Sequence, residues 1–199
     1  MKTIQSIEAL EDLYGPAVPR SLTKVVQELT PLYRRWIDAA RFAILTSVGE
    51  EGTDASPRGD DGPVVRVVDD KTVWLPDWRG NNRIDSLRNI VRDGRVSLMF
   101  MVPGEDNVVR INGVAALTAD PTVTETFVQN GKSPKTVIVV TVGEVYFQCA
   151  KALMRSGLWG DTPKPGLPSA GDFIKEREPA FDGKEYDSGY SEYAKTRMW

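Results

Sequence analysis

The spacing of hydrophobic residues changes near residue 41 of this 199-residue chain. Before that position, apolar residues recur every three or four positions, which predicts amphipathic helices that pack on a sheet. After it, short runs rich in β-branched and aromatic residues are separated by Gly, Pro, Asn and Asp, a pattern typical of strands and turns. The predicted strands cover residues 41–48, 53–56, 64–68, 72–76, 95–102, 107–118 and 136–149.

Helices are predicted before and between these strands, where capping residues and apolar spacing favour them. Six or seven strands spaced this closely favour a mainly β fold with peripheral helices, a mostly antiparallel barrel, over a doubly wound sheet. Within the strand 107–118, Asn112-Gly113 predicts a bulge or a close backbone approach. The predicted helices cover residues 3–14, 21–29, from 31 onwards, 82–91, 121–128 and 150–153.

The length fits one domain, residues 1–199, with N-terminal helices (1–40), a barrel (41–156) and a tail (157–199). The tail carries too many large side chains for a free segment, so we expect it to wrap over the body or over a partner chain. Partial disorder is the alternative. Its anchors are Phe173, Ile174, Phe181, Tyr186, Tyr190, Tyr193 and Trp199.

Charge and composition exclude several classes of protein. The net charge of -3 argues against a nucleic-acid binder, which usually has a basic excess. No apolar run approaches the ~20 residues that cross a bilayer, and the acidic N-terminal stretch does not resemble a signal peptide. With Cys149 as the lone cysteine, no intrachain disulfide is possible. We therefore expect a cytoplasmic protein that binds neither membranes nor nucleic acid.

The chain contains no histidine. This absence removes Ser-His-Asp and Cys-His catalysis, the usual histidine zinc sites and the usual general base at neutral pH. We expect no metal site. Cofactor chemistry is the simplest way to reconcile a possible enzyme with this inventory of side chains.

The stretch 54–87 is the most informative part of the sequence. Two arginine-bearing turns flank two short apolar runs, and if those runs pair as a hairpin, the turns lie at the same end of the sheet. Arg58, Arg79 and Arg83 would then reach one anion. The second turn also leads into the predicted helix at residue 82, whose free N–H groups and dipole suit a phosphate. The pattern predicts a site for the phosphate of a small cofactor.

Each candidate residue also has an ordinary structural interpretation. Arg58 could pair with Asp60 or Asp61, Asn82 could cap the helix, and Arg79 could be solvated. Trp78 could stack on a ligand ring or plug the end of the barrel. Other candidates stay open in the same way. Arg110 and Asn112 alternate on one strand face, which could point to a dimer interface or to a cofactor, while Lys151 and Arg155 could form a solvated helical face.

Three motifs in this order resemble one known family. They are the turn Ser56-Pro57-Arg58-Gly59-Asp60, the turn Gly80-Asn81-Asn82-Arg83, and the segment CAKALMRSGLW at residues 149–159. Together they are similar to the pyridoxamine 5'-phosphate oxidase-like, FMN-binding split-barrel family, over roughly residues 35 to 160. The resemblance implies a split β-barrel, an obligate homodimer and FMN bound at the subunit interface.

The same resemblance implies roles for individual residues. Ser56 and Arg58 would lie near the FMN, and Asn82 and Arg83 at its phosphate. Leu75, Pro76 and Asp77 would follow the flavin edge through backbone groups. Lys151 and Arg155 would reach a bound ligand, either in their own chain or across the dimer.

The expected function is that of an FMN-binding flavoprotein, a flavin-dependent oxidoreductase acting on a small molecule. The chain lacks the Arg-x-x-Leu-Leu-Lys strand of true pyridoxamine phosphate oxidases and has no histidine, which argues against oxidation of pyridoxamine phosphate itself. Two alternatives stay open. One is a flavin-binding carrier or sensor without catalysis. The other keeps the barrel and binds another cofactor, a deazaflavin in a deazaflavin-dependent reductase or, less readily without histidine, a haem.

Overall fold

A computed structural model describes residues 1–161 and 165–199, so the part of the predicted tail at residues 162–164 lies outside the described residues. Seven strands form one sheet, in which every pair of neighbours is antiparallel, in the order β2-β1-β5-β6-β7-β4-β3. The strands are β1 (Phe42–Gly49), β2 (Gly52–Gly59), β3 (Arg66–Val67), β4 (Thr72–Asp77), β5 (Arg95–Met101), β6 (Val108–Thr118) and β7 (Thr136–Gln148).

Eight helices flank this sheet within the described residues. They are α1 (Ile7–Tyr14), α2 (Pro19–Thr23), α3 (Pro31–Ala39), α4 (Asp85–Arg92), α5 (Pro121–Thr124), α6 (Lys151–Ser156), α7 (Ala170–Arg177) and α8 (Gly183–Lys195). The mainly β, split-barrel fold predicted from the sequence is confirmed.

The core lies on one face of the curved sheet and is closed by α3 and α4. Alternate residues of the strands point into it, as in β5, where Val96, Leu98 and Phe100 are buried and their neighbours are partly exposed. Ile37 of α3 and Ile90 of α4 complete this core. The two helices therefore pack on the sheet through their apolar sides, as their spacing predicted.

The long strands β6 and β7 shift register between Asn112 and Gly113. A Cβ atom on Gly113 would lie 2.1 Å from the carbonyl oxygen of Thr141, so only glycine allows the two backbones to approach so closely. The predicted bulge is thus confirmed.

Several helix predictions were wrong. The helix predicted over 21–29 ends at Thr23, because Val26 forms a bridge to Val145 of β7. The helix predicted over 121–128 is a single turn that ends at Thr124. The apolar side of α1 does not pack on the sheet; Ile7 and Leu13 are 65% and 67% exposed.

Two boundaries near the candidate site also differ from prediction. The strand predicted over 64–68 pairs only at Arg66 and Val67, because the N–H of Val64 bonds instead to the carbonyl of Ala40. The helix predicted from residue 82 begins at Asp85. The chain before it turns through left-handed backbone at Asn82 (φ 60°) and Ile84 (φ 53°), which helical geometry does not allow.

Candidate functional site

A gap separates β2 from β4, since β2 pairs only with β1 and the short β3 covers only part of β4. The side chains of Arg58 and Asp77 bridge this gap in an ion pair of 2.5 Å. The two side chains are only 17% and 19% exposed, so the pair is poorly screened by solvent. The alternative prediction that Arg58 pairs with Asp60 or Asp61 was therefore wrong.

A second contact holds the two arginine-bearing turns together. The indole Nε1 of Trp78 donates to Asp60 at 2.7 Å, and the side-chain amide of Gln129 donates to the same carboxylate at 3.0 Å. The hairpin of β3 and β4 that was predicted to bring the turns to one end of the sheet is confirmed. The turns that follow β2 and β4 therefore lie side by side.

Asp54, Ser56 and Arg58 form a stripe along β2, because alternate residues of a strand share a face. All three are partly buried, whereas the residues between them are exposed. At one end, Arg58 pairs with Asp77; at the other, about 13 Å away by strand geometry, Asp54 accepts a hydrogen bond of 2.6 Å from Ser86 of α4. Ser56 lies between these contacts, and its hydroxyl has no recorded partner in residues 1–161 and 165–199.

The loop 79–84 connects the two ends of this stripe, since it follows Asp77 and precedes α4. The N–H of Arg83 bonds to the side-chain oxygen of Asn81 at 3.0 Å, and the guanidinium of Arg83 pairs with Asp85 at 2.8 Å. The side chain of Arg83 is 77% exposed. It can therefore turn from Asp85 towards a ligand at little cost.

The N-terminus of α4 has no side-chain cap, because Ile84 occupies the capping position. The interpretation of Asn82 as the cap was wrong; Asn82 stands two residues earlier, in left-handed conformation. Uncapped N–H groups at a helix start, beside an arginine, favour an anion. The backbone N–H groups of consecutive turns of this type can also form a concave surface that binds an anion.

Leu75, Pro76 and Asp77 carry the free edge of β4. On one side they pair with Ile138, Val137 and Thr136 of β7, but β3 pairs only with Val73 and Trp74. Leu75 and Pro76 are both buried, but only Leu75 belongs to the core, since Pro76 lies beside Val137 on the other face of the sheet. The N–H of Val142 on β7 bonds to the carbonyl of Lys71, so alternate residues of β4, including Leu75 and Asp77, direct their backbone groups to β7. The backbone group that faces the gap is the carbonyl of Pro76.

Two buried polar atoms lie beside the ion pair without a hydrogen-bond partner among the described residues. They are Nε of Arg58 and the hydroxyl of Thr136, the residue paired with Asp77 across the ladder. An unpaired buried polar atom costs about 1–3 kcal/mol, so these two mark a place where a polar ligand would be favourable.

The structure does not bring every predicted residue to the gap. Arg110 lies in the same cross-strand row as Met99 and Ile44, whereas Arg58 lies in the row of Ala43 and Phe100, so the two arginines occupy opposite faces of the sheet. Arg110 bonds instead to Gln148 at 3.3 Å, and its guanidinium carbon lies 5.4 Å from the centre of the Tyr146 ring.

Of three other basic residues, Lys151 and Arg155 stay apart from the gap within one chain, and Arg79 lies on the loop 79–84 that follows Asp77 and Trp78. Arg79 is exposed, with no ion pair recorded in the described part of the chain. Lys151 and Arg155 lie on α6, which follows the last residue of β7, whereas Asp77 is paired with the first residue of that strand. Both side chains are exposed.

Asp54 and Thr136 were not among the residues predicted for the site, and Trp199 was predicted only as an anchor of the tail. Asp54 could have been found, since it shares the period-two alternation of Ser56 and Arg58. Thr136 carries no local signal, because the pairing of β4 with β7 brings it to this region. The aromatic content of the tail predicted Trp199 as an anchor, but not the place where it docks. The ring of Trp199 packs on Trp78, with the ring centres 5.3 Å apart.

The model of the pyridoxamine 5'-phosphate oxidase family matches residues 29–149, more than half of the chain. The chain belongs to that family. The matched segment runs from the start of α3 to just past β7 and contains the whole of the gap between β2 and β4. No curated protein matches the chain.

Solved structures of related fold are distant in sequence. HupZ from Group A Streptococcus is 20% identical over 58% of this chain and 90% of that chain, with a TM-score of 0.48. A protein from Lactobacillus delbrueckii described as a pyridoxamine 5'-phosphate oxidase is 17% identical over 61% and 95%, with a TM-score of 0.49. A Clostridium acetobutylicum protein related to general stress protein 26 is 12% identical over 57% and 83%, with a TM-score of 0.43.

No helix in the described residues has both the length and the apolar character needed to cross a membrane. Within those same residues, no group of three or more Cys, Asp or Glu side chains is placed to hold a metal ion.

Proposed function

We propose that this protein binds FMN in the gap between β2 and β4 and uses it as an oxidoreductase on a small organic substrate. The observation that carries the proposal is the stripe along β2. It contains Ser56 and the unpaired Nε of Arg58, and it ends beside α4, whose first turn has no side-chain cap. A ligand with a phosphate at one end and a polar ring at the other fits that order of groups.

The phosphate end lies at the loop 79–84 in this proposal. Arg83 and the free N–H groups of α4 supply positive potential, and Asn82 shapes the loop beside them. Arg79, also exposed on this loop, adds charge for the approach of an anion. Asp85 holds Arg83 in the free protein and releases it when phosphate binds.

The ring end lies against Arg58 and the free edge of β4. The unpaired Nε of Arg58 and the hydroxyl of Thr136 would donate to polar atoms of the ring. On the same edge Pro76 would present its carbonyl, since it has no N–H, while the backbone groups of Leu75 and Asp77 are directed to β7. Bound FMN would supply a redox-active ring that accepts and returns electrons.

A homodimer completes the site in this proposal. The open face of the sheet carries Ile44, Met99 and Tyr146 beside Arg110, whose buried Nε has no partner in the described chain. A second copy would cover this face and satisfy Arg110. Lys151 and Arg155, which do not reach the gap within one chain, would reach the ligand of the other copy.

The choice of proton carriers is restricted by the absence of histidine. Asp77 and Asp60 are occupied by Arg58 and by Trp78 and Gln129, so they position other groups. Proton transfer to or from a substrate would fall to water, to a tyrosine or to a carboxylate outside these contacts.

The test is a titration of FMN into purified protein, followed by absorption and by flavin fluorescence, for the wild type and for Arg83→Ala. We expect bound FMN in the wild type and affinity about tenfold lower in the variant, the loss of one charge-assisted contact of roughly 1.5 kcal/mol. Arg92→Ala is the matched control, since it removes the same charge from the exposed, opposite end of α4.

Three results would contradict the proposal in different ways. A wild type that ignores FMN would overturn the flavin assignment. Equal affinity in Arg83→Ala and the wild type would leave flavin binding intact but would show that the phosphate does not bind at α4. Equal losses in Arg83→Ala and Arg92→Ala would point to general electrostatic attraction instead of a specific contact.

A further inference from the structure

Trp199 is held on the turn that follows β4 by two separate contacts. Its ring meets that of Trp78 almost at right angles, with an interplanar angle of 82° and ring centres 5.3 Å apart. Its main-chain oxygen accepts a hydrogen bond of 3.3 Å from the ammonium of Lys132. An edge-to-face pair of indoles is a favourable aromatic geometry.

The residues that contact Trp199 are linked by hydrogen bonds to the turns beside the proposed ring end. Trp78 directly follows Asp77, the partner of Arg58, and its indole is fixed by Asp60. Lys132 and Gln129 form an isolated antiparallel β-bridge. The side-chain amide of Gln129 in turn donates to the carboxylate of Asp60. The surface that receives Trp199 is therefore connected through Asp60 to the turn that follows β2, next to Arg58.

The rest of the segment 165–199 forms its own helical hairpin. α7 and α8 cross at Gly171 and Gly183, where a Cβ on Gly171 would lie 2.2 Å from the carbonyl oxygen of Gly183, and the carboxylate of Asp187 accepts from the N–H of Gly171 at 2.9 Å. Among the described residues, every recorded side-chain hydrogen bond or ring contact that joins this hairpin to the barrel is made by Trp199.

Exposure within the hairpin agrees with this arrangement. The aromatic residues Phe173, Tyr190 and Tyr193 are 59%, 51% and 55% exposed, whereas Trp199 is partly buried. Within the described residues, the hairpin is thus an arm that is anchored on the barrel through one residue, Trp199.

We propose that Trp199 is a hinged cover for the ring end of the flavin site, carried by the arm 165–199 and fastened by Lys132. The inference rests on the proposed function and adds to it a residue that determines how long the ligand stays. The indole excludes water from Trp78 and adds aromatic surface beside the ring, and the Lys132 bond opens when the arm swings away. The phosphate end, at α4, is untouched by the cover.

The experiment measures dissociation rates of FMN and of riboflavin, which has the same ring without the phosphate, by stopped-flow fluorescence. We expect Trp199→Ala to accelerate the release of both ligands by the same factor, about threefold to tenfold, as one aromatic contact would. Lys132→Ala should act in the same direction with a smaller factor. Arg83→Ala should accelerate the release of FMN alone.

Tyr190→Ala is the matched control, because it removes another aromatic ring from the arm without touching the barrel. Limited proteolysis of the ligand-free protein adds an independent measurement of the cover. Cleavage within residues 165–199 should be faster in Trp199→Ala than in the wild type or in Tyr190→Ala.

The outcomes separate the two proposals. A wild type that binds neither flavin overturns the proposed function and the cover with it. A wild type that binds FMN, with release from Trp199→Ala no faster than from Tyr190→Ala, overturns the cover and leaves the function standing. Equal cleavage of the arm in all three proteins shows that Trp199 does not dock, which overturns the cover whatever the flavin results.

Discussion

Arg58 of β2 and Asp77 of β4 form an ion pair across two strands that share no backbone ladder. Both side chains are more than four-fifths buried, so removal of either partner leaves a charge in a poorly solvated place. The pair fixes the width of the gap and orients the unpaired Nε of Arg58. It is both a structural clamp and part of the proposed ligand site.

We therefore expect Arg58→Met and Asp77→Asn each to lower the free energy of unfolding by about 1–3 kcal/mol, the cost of a buried polar group left without a partner. The double variant should lose less than the sum of the two, with a coupling energy of about 1–2 kcal/mol. Urea unfolding of the wild type, the single variants and the double variant measures this.

The exposed pair of Arg41 and Asp61 is the control for that cycle. Its atoms are 3.8 Å apart, and its side chains are 66% and 83% exposed, so its coupling energy should be below about 0.5 kcal/mol. Equal coupling energies for the two pairs would show that burial of Arg58 and Asp77 has no energetic consequence.

Ile84 is a β-branched residue in left-handed conformation directly before α4. Such a backbone costs about 1–2 kcal/mol, and a site that retains it often uses the resulting loop shape. Ile84→Gly removes this strain and a side chain that is 45% exposed, so the free energy of unfolding should change by less than about 1 kcal/mol. FMN affinity should fall, because a glycine loop is less pre-organised.

Val91→Gly is the comparison for this variant, since Val91 is also exposed (74%) but lies within regular α4. It should lower the free energy of unfolding by about 1 kcal/mol, the ordinary cost of glycine in a helix. Thermal unfolding and FMN titration of both variants are the measurements. A larger loss of stability in Ile84→Gly than in Val91→Gly would contradict the strain argument.

How much of this could be predicted from the sequence differs between strands and loops. The strands of the barrel follow from local runs of apolar residues, and the meeting of the turns after β2 and β4 follows from one antiparallel hairpin. Both depend on neighbours in sequence or on a single pairing. This is why Arg58 and the turn after β4 could be assigned to one end of the sheet in advance, whereas Ser56 and Asp77 were assigned to the same region through the family resemblance.

The errors arise where long-range contacts or backbone strain override the local pattern. The apolar spacing of 82–91 is helical, yet left-handed Asn82 and Ile84 delay α4 to Asp85. Arg110 was placed correctly on a strand, but its face depends on the register of β5 and β6, which the sequence does not specify. Trp199 contacts Trp78 directly, although more than a hundred residues separate the two in sequence.

Asp93 connects α4 to β5 through a bidentate contact with Arg95, with distances of 2.6 and 2.9 Å. Hydrogen bonding from Arg95 lowers the pKa of Asp93 from its ordinary value of 3.8 to about 2. A carboxylate with a lowered pKa in the folded state stabilises the fold fully above pH 3.8, and that contribution is lost as the pH falls towards 2.

We expect an NMR titration of the carboxyl carbon of Asp93 to give a pKa near 2 in the wild type. In Arg95→Gln the pKa should return towards 3.8, and the fall in stability between about pH 4 and pH 2 should be shallower. The same pKa in both proteins would show that the contact does not persist in solution.

The proposed dimer can be tested independently of flavin binding, through the open face of the sheet. Met99 lies in its central row between Ile44 and Arg110, half-buried although it points away from the core. Met99→Glu would place a charge in the proposed interface, so we expect a monomer by light scattering and weaker FMN binding, because in our proposal a second copy completes the site. Leu32→Glu, on the exposed side of α3, should stay dimeric. A dimeric Met99→Glu variant would exclude this face as the interface, and a monomeric wild type that binds FMN would show that one chain is sufficient.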